Sequence, residues 1–349
     1  MTLPKLAVVM AGGRGTRFWP RSRAALPKQF LPITGPETLL VETVRRLEAS
    51  FGLEHIFVLT TEDLADEARR QLPELPPENV LLEPEGRNTA PCLALCLVAL
   101  ERRFPQGGVM AVLSADHWIG ETEAYLADLD LALEHAEDRG ELVVFGIPPT
   151  SPETGYGYIE SEGVGPVRRV VAFREKPPHE VALQYLASGR HTWNAGMFVW
   201  TLKDFRAGLA SHAPELLRPL DAWSGDALTL ASAYGQLPKL PIDIALMEKA
   251  TNVAMVPARF RWSDVGSWPA ALAFQAKDAA GNIAQGDALL IDTKDTAVFG
   301  GKRLVATAGV EGLIIVDAED ALLVTHRDRA QGVKEIVERL RADGRGDLL

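Results

Sequence analysis

Short apolar runs rich in β-branched residues alternate with amphipathic stretches through the first half of the chain, and this alternation constrains the fold most. Leu6–Met10, Ile56–Thr60, Val80–Leu82, Val109–Ser114 and Leu142–Gly146 read as strands. Between them Glu37–Ala49, Asp63–Leu72, Ala90–Arg103 and Glu123–Asp138 read as helices. In the first of these, Leu40, Val44 and Leu47 recur at i, i+4 and i+7. Strands that alternate with helices are joined by right-handed crossovers and align in parallel. The expected fold is therefore α/β, a Rossmann-like, doubly wound, mostly parallel sheet. Ligands bind such sheets beyond the carboxyl ends of the strands. The loops after Met10, Leu82 and Ser114 are the places to search.

From Gly155 the pattern loosens. Tyr156–Glu160, Val167–Glu175 and Ala195–Thr201 read as strands, Lys203–Ser211 and Ile242–Lys249 as helices. These are assigned to the same domain, residues 1–278. After Asp278 the texture changes to short strands and turns, and residues 279–349 are expected to form a small β-rich, β-helix-like module. Within it, 290–298 matches 315–323 in pattern at an offset of 25 residues. Two coils of a solenoid or a pair of hairpins would both produce that match. The chain closes on an amphipathic helix whose Val333, Ile336, Val337 and Leu340 share a face.

Composition excludes several classes. A length of 349 residues suits two domains. A net charge of −11 argues against a nucleic-acid partner. No apolar run approaches the ~20 residues of a membrane span, so no membrane partner is expected. The segment Met1–Met10 has one Lys and no small-residue cleavage site, so no signal peptide is read. Cys92 and Cys96 are the only cysteines and lie four apart in an apolar segment, which predicts two core thiols. A cytoplasmic location follows as the expectation. A homo-oligomer, such as a dimer, is compatible with the sequence.

The charge is unevenly spread. No Asp or Glu occurs before Glu37, while Lys5, Arg14, Arg17, Arg21, Arg23 and Lys28 do. Within this basic stretch, Ala11-Gly12-Gly13-Arg14-Gly15-Thr16-Arg17 directly follows the first strand. Three glycines in four positions let backbone N–H groups approach an anion closely. The spacing is neither that of the P-loop nor that of the dinucleotide fingerprint. With Arg17 and Lys28 nearby, the loop reads as a polyphosphate cradle rather than a solvated turn.

The run Gly-Gly-x-Gly-Thr-Arg-x-x-Pro, ending in Pro27-Lys28-Gln29-Phe30, resembles the signature of the sugar-nucleotide pyrophosphorylases, and of the mannose-1-phosphate guanylyltransferases in particular. Further matches follow in order over nearly all of the chain. Glu83–Pro91 resembles that family's base-binding segment, and Ser114-Ala115-Asp116-His117 its metal-binding strand end. Phe173–Pro177 and Trp193–Phe198 resemble its sugar-phosphate segments, and Ile242-Asp243, Met247–Lys249 and Trp262–Trp268 complete the set.

The resemblance implies a nucleotidyltransferase fold and a site. Arg17, Lys28, Asp116, Lys176 and Asp264 would be catalytic. Ala11, Gly12, Gly13, Arg14, Gly15, Thr16, Glu83, Arg87, Asn88 and Thr89 would bind the nucleotide. Gly157, Glu175, Lys176, Asn194, Gly196 and Asp243 would bind the sugar phosphate. Asp116 and Asp264 would hold one or two Mg²⁺ ions, since two carboxylates with phosphate oxygens and water suit that cation. Bland roles stand beside these. Asp264 could cap a helix over Val265–Ala273, Thr89 could cap the helix that follows it, and His117 reads as a positioned structural histidine, since no general base is needed. Tyr156 and Tyr158 would line the sugar pocket or pack in the core.

The implied reaction is transfer of GMP from GTP to α-D-mannose 1-phosphate, giving GDP-mannose and pyrophosphate. The sugar phosphate is already an anion, so no Ser, Cys or His nucleophile is needed. Guanine offers donors at N1 and N2, which the acceptors of Glu83–Thr89 would answer. Rival readings are a pyrophosphorylase for another pair, such as glucose 1-phosphate with dTTP or ATP, a non-catalytic sugar-nucleotide sensor, and a glycosyltransferase. The last would show a close Asp-x-Asp pair after a strand, whereas Asp128 and Asp130 fall in a helical pattern and read as solvated surface. Pro241 stands where relatives more usually have Ser. Many relatives carry an added isomerase domain, and no phosphomannose isomerase activity is expected of this chain.

Overall fold

The structure, a computed structural model, describes residues 2–13 and 15–349. It divides into two compact units, each assembled from three segments. The larger holds Met1–Gly12, Thr43–Ala115 and Ile119–Trp262; the smaller holds Gly13–Glu42, Asp116–Trp118 and Ser263–Leu349. Among the described residues no helix is long and apolar enough to cross a membrane.

The larger unit is built on a nine-stranded sheet. Its strands are β1 (Lys5–Met10), β2 (Ile56–Thr61), β3 (Val80–Glu83), β4 (Val109–Ser114), β5 (Leu142–Ile147), β6 (Tyr158–Glu162), β7 (Arg168–Arg174), β8 (His191–Thr201) and β9 (Val253–Pro257). They lie in the order β3-β2-β1-β4-β8-β5-β9-β7-β6. β1 is parallel to β2 and β4, with Ala7 opposite both Ile56 and Ala111. β8 runs antiparallel to β4 and β5, and β7 antiparallel to β9 and β6. The mostly parallel, doubly wound sheet expected from the alternation is present. Every residue of β2 and β5 is buried, as strands covered on both faces require. β7 mixes buried and exposed positions, which suits a strand near the sheet's edge.

The helices of this unit include α1 (Leu39–Phe51, which begins in the smaller unit), α2 (Ala65–Gln71), α3 (Thr89–Arg103), α4 (Thr122–Arg139), α5 (His179–Ser188), α6 (Leu202–His212) and α7 (Ala227–Gly235). α3 buries Leu93, Leu97 and both cysteines in one core with Leu6, Val8, Phe57 and Val112. Trp200 has no exposed surface and stacks on Phe205 at 4.3 Å. Truncating such a ring to Ala costs about 3–5 kcal/mol. Asp128 on α4 is buried, not solvated as its position suggested. It accepts from Arg259 N at 2.8 Å and from Arg259 Nε at 2.6 Å, so an ion pair accounts for its burial. Asp130 stays partly exposed against Lys5.

The smaller unit contains a solenoid. Strands β10 (Ile283–Gln285), β12 (Ala297–Phe299) and β14 (Leu313–Asp317) are parallel, and β11 (Ala288–Ile291) is parallel to β13 (Val305–Ala308). β15 (Leu322–His326) closes the stack antiparallel to β14. Ile283 faces Ala297, 14 positions on, and Ala297 faces Ile314, 17 positions on. The coil is therefore shorter than the 25-residue repeat in the sequence. That repeat superposes β11 on β14, strands of different sheets, because each is an apolar run followed by an acidic turn.

The core of this unit is not confined to the C-terminal segment. Phe18, Trp19, Leu31 and Ile33 are buried with Phe299, Ile314, Val316, Val333 and Val337. Trp268, in the short helix α8 (Trp268–Leu272), packs on Phe18 at 4.9 Å and on Phe299 at 4.8 Å. Trp19 Nε1 donates to Leu348 O at 2.8 Å. The terminal helix α9 (Val333–Ala342) buries Val333 and Val337, while Ile336 is partly exposed.

Candidate active site

In the smaller unit the expected phosphate and metal residues converge on one cavity of ≈ 420 Å³. Gly13, Gly15, Thr16, Arg17, Lys28, Asp116 and Asp264 all line it, with Phe18, Gly266 and Lys334. Arg14, expected beside Arg17, lies outside the described residues. The loop is held by its neighbours. Gln29 Nε2 donates to Gly13 O at 2.9 Å, and a Cβ on Gly15 would lie 3.3 Å from Lys28 Cγ. Only glycine fits that approach without displacing the lysine stem.

Lys28 is nearly buried and its ammonium is tied on several sides. Nζ donates to Asp264 O at 2.6 Å and Val265 O at 3.3 Å, and lies 3.1 Å from Asp116 Oδ2. Burial raises the Asp116 pKa, but the charges of Lys28 and His117 outweigh it and hold the carboxyl below its ordinary value. It is thus a carboxylate at neutral pH. His117 Nε2 lies 3.7 Å from Asp116 Oδ1, and burial lowers its pKa despite that neighbour. Arg17 Nη1 donates to Gly266 O at 3.4 Å. Asp264 does not cap a helix: its Oδ1 accepts from Gly266 N at 3.2 Å, and Ser267 caps α8. The next residue, Val265, is buried with φ of 44°, a strained conformation for a β-branched side chain. Such strain is held by surrounding structure and concentrates at functional sites.

In the larger unit, the base-loop residues form a second group. Ala11 is pinned at the end of β1, its N–H donating to Leu59 O at 2.8 Å and its O accepting from Thr60 Oγ1 at 3.1 Å. A Cβ on Gly12 would lie 2.9 Å from Glu83 Oε1, so the loop passes directly over that carboxyl. Glu83 is buried and accepts from Tyr234 Oη; burial pushes its pKa up against that hydrogen bond. Arg87 donates to Leu237 O and pairs with Glu85 at 2.6 Å. Asn88, with φ of 74°, accepts from Thr89 N at 2.8 Å and caps α3. The cap is Asn88 rather than Thr89, whose Oγ1 instead accepts from Ile242 N at 2.8 Å.

A third group, also in the larger unit, joins the expected sugar-phosphate residues. Asn194 is buried; its N–H donates to Gly157 O at 2.8 Å and its Nδ2 to Asp243 Oδ1 at 2.9 Å. Its Oδ1 accepts from Gly196 N at 3.1 Å. A Cβ on Gly157 would lie 2.7 Å from Glu175 Oε2. Glu175 Oε1 accepts from Lys176 Nζ at 2.7 Å, and Lys176 has φ of 45°. Asp243 opens a π-helical turn, Asp243–Met247, where an ordinary helix was expected. Such turns recur at functional sites. Its pKa is raised to about 7 by burial and by the Glu175 charge, against Lys176 and Asn194. Tyr158 is buried in the core, while Tyr156 packs edge-on against Trp193 and Trp262.

Sequence reasoning missed Tyr234 and Lys334, and it marked Glu248 only as part of the Met247–Lys249 match. Glu248 Oε1 accepts from Glu175 N at 2.9 Å. Tyr234 and Lys334 sit on helices of ordinary composition, so no local signal separates them from surface residues.

Among the described residues, no cluster of three metal-ligating side chains occurs. Asp116 and Asp264 line one cavity and both offer hard oxygen donors, the type that suits Mg²⁺.

Comparison with known proteins agrees over nearly the whole chain. The nucleotidyl transferase family model matches residues 6–281, and the MannoseP isomerase/GMP-like beta-helix domain matches 286–340. The mannose-1-phosphate guanylyltransferase of Escherichia coli K12 is 39% identical, covering 97% of this chain and 74% of its own. The alginate biosynthesis protein AlgA of Pseudomonas syringae pv. tomato is also 39% identical, over 97% of this chain and 72% of its own. The crystal structure described as mannose-1-phosphate geranyltransferase from Thermus thermophilus superposes with a TM-score of 0.88 at 37% identity. That match covers 97% of this chain and all (100%) of the other.

Proposed function

The chain belongs to the nucleotidyl transferase family and is an enzyme of that kind, and from that premise we propose that it transfers GMP from GTP to α-D-mannose 1-phosphate. GDP-mannose and pyrophosphate are the products. One observation carries the reading: the glycine loop, Arg17, Lys28 and two carboxylates line a single cavity. Similarity to guanylyltransferases that act on mannose 1-phosphate supports the choice of substrates.

A phosphate oxygen of the sugar phosphate attacks the α-phosphorus of GTP. One P–O bond forms, the bond between the α-phosphorus and its bridging oxygen breaks, and pyrophosphate leaves in line. No proton moves in this step, so catalysis is positioning and charge neutralisation. The backbone N–H groups of Gly12–Thr16 cradle the triphosphate. Arg17 meets the charge that develops on pyrophosphate, and Lys28 sits at the reacting phosphates. Asp116 and Asp264 would hold Mg²⁺, which offsets phosphate charge when bound. Lys176 supplies a point charge for the sugar phosphate. Asn194, Glu175 and Asp243 bind the sugar hydroxyls, positioned by the close approach at Gly157. Residues 1–278 carry this chemistry and 279–349 support it.

Base choice rests on the acceptors of the Glu83–Thr89 loop, which suit the N1 and N2 donors of guanine. A mispaired base leaves a buried polar group unsatisfied at about 1–3 kcal/mol, enough for roughly ten- to hundredfold discrimination. The test is a panel of nucleoside triphosphates against sugar 1-phosphates, with pyrophosphate release followed with and without EDTA. GTP with mannose 1-phosphate should give the highest kcat/KM, and EDTA should abolish turnover. Preference for glucose 1-phosphate with dTTP or ATP would move the enzyme elsewhere in the family.

A further inference from the structure

Among the described residues, Lys334 is the one charged residue of the cavity that no motif marked. It stands in the first turn of α9, in the C-terminal module, yet lines the same space as Gly15, Arg17, Lys28, Asp116 and Asp264. We infer that Lys334 is a further cation of the triphosphate site, reaching from the terminal helix to the pyrophosphate half of the nucleotide. The inference rests on the nucleotide reading of the cavity proposed above.

The charges lining the cavity favour this role. Lys28 is committed to two backbone carbonyls and to Asp116. Arg17 and Lys334 then face a substrate tail that carries several negative charges. Lys334 is the freer to respond. Its ion-pair partner is Glu338, one turn along the same helix at 3.5 Å, and both side chains are more than half exposed at 68% and 57%. An exposed pair of that kind is weak and solvent-screened, so a phosphate oxygen displaces Glu338 readily. The lysine is a flexible point charge on a long stem, suited to phosphate without fixed geometry. The buried Val333 and Val337 anchor α9, so the lysine is presented from a fixed base. The C-terminal module would then contribute a ligand contact as well as packing.

The test is steady-state kinetics on the full-length protein in both directions, with Lys334→Gln, Lys334→Arg and Arg17→Ala made in parallel. Lys334→Gln should raise KM for GTP, and for pyrophosphate in the reverse reaction, roughly tenfold. KM for mannose 1-phosphate should stay within about twofold, since that substrate makes no contact with Lys334. Lys334→Arg, which keeps the charge, should restore most of the affinity. Unchanged GTP and pyrophosphate constants in Lys334→Gln, alongside a clear defect in Arg17→Ala, would overturn the role of Lys334 alone. No nucleotide defect in either variant would remove the triphosphate from this cavity, and the inference with it. An equal rise in KM for all three substrates would also overturn it, because a general structural effect would then explain the loss.

Discussion

Asp243 sits beside Glu175 and Asn194 with a pKa raised to about 7, far above the ordinary 3.8. A raised carboxyl pKa means that the folded state favours the neutral form. That preference stabilises the fold fully below about pH 4 and is lost as pH rises through about 7. Asp243→Asn keeps an acceptor for the Asn194 amide and removes the titration. Urea unfolding at pH 5 and pH 8.5 should therefore show the variant gaining about 2 kcal/mol on the parent as pH rises. A pH-independent difference would mean that Asp243 ionises normally. At this scale the legible residues were those whose spacing has a chemical reason. The glycines of the loop, Lys28 and Asp116 stood out because backbone approach to an anion and a carboxylate at a strand end follow from sequence position. Tyr234 and Lys334 did not. They act through the position of a helix, and a Tyr or Lys on a helix carries no mark of what it faces. Glu83 was legible as a loop acid, but its burial against Tyr234 was not.

The strands and helices of the first half follow the alternation closely, since buried parallel strands are near-continuous apolar runs. β7 was read to within one residue at each end, whereas β8 was read only from Ala195, because its near-continuous burial and antiparallel pairing blur the period. α5 and β9 were not read at all. The solenoid was legible as texture, but its coil length was not. Its coils of 14 and 17 residues are set by the turns between strands, and the repeat at 25 residues joined strands of different sheets. Leu289 and Ile291 of β11 are about half exposed at 51% and 53%, so this strand does not face the core. The inner positions are Ile283, Ala297, Phe299, Ile314 and Val316, and they share a core with Phe18, Trp19 and Trp268. Cutting the chain after Asp278 therefore strips the packing from the segment that carries the glycine loop and Lys28. Each large buried side chain is worth about 2–5 kcal/mol, against a total stability of roughly 5–15 kcal/mol. The truncated protein should aggregate or lose GTP binding together with its cooperative unfolding transition. A soluble truncated protein with the parent's turnover would show that the module is dispensable for the loop.

Across the whole molecule, the chain is committed to two compact units whose segments interleave in sequence. Gly13–Glu42 and Asp116–Trp118 belong with the C-terminal part, while Glu83, Asn194 and Asp243 belong to the larger unit. Residues far apart in sequence meet within each unit, as Lys28, Asp116 and Asp264 do around one cavity. This convergence gathers separate motifs around one cavity, and on the reading proposed above that cavity takes the nucleotide. The direct measurement is a ³¹P NMR time course with GTP, mannose 1-phosphate, Mg²⁺ and catalytic protein. The account predicts that GDP-mannose and pyrophosphate appear in equal amounts while both substrates decline together. Formation of GDP and orthophosphate, or loss of GTP with mannose 1-phosphate untouched, would contradict it.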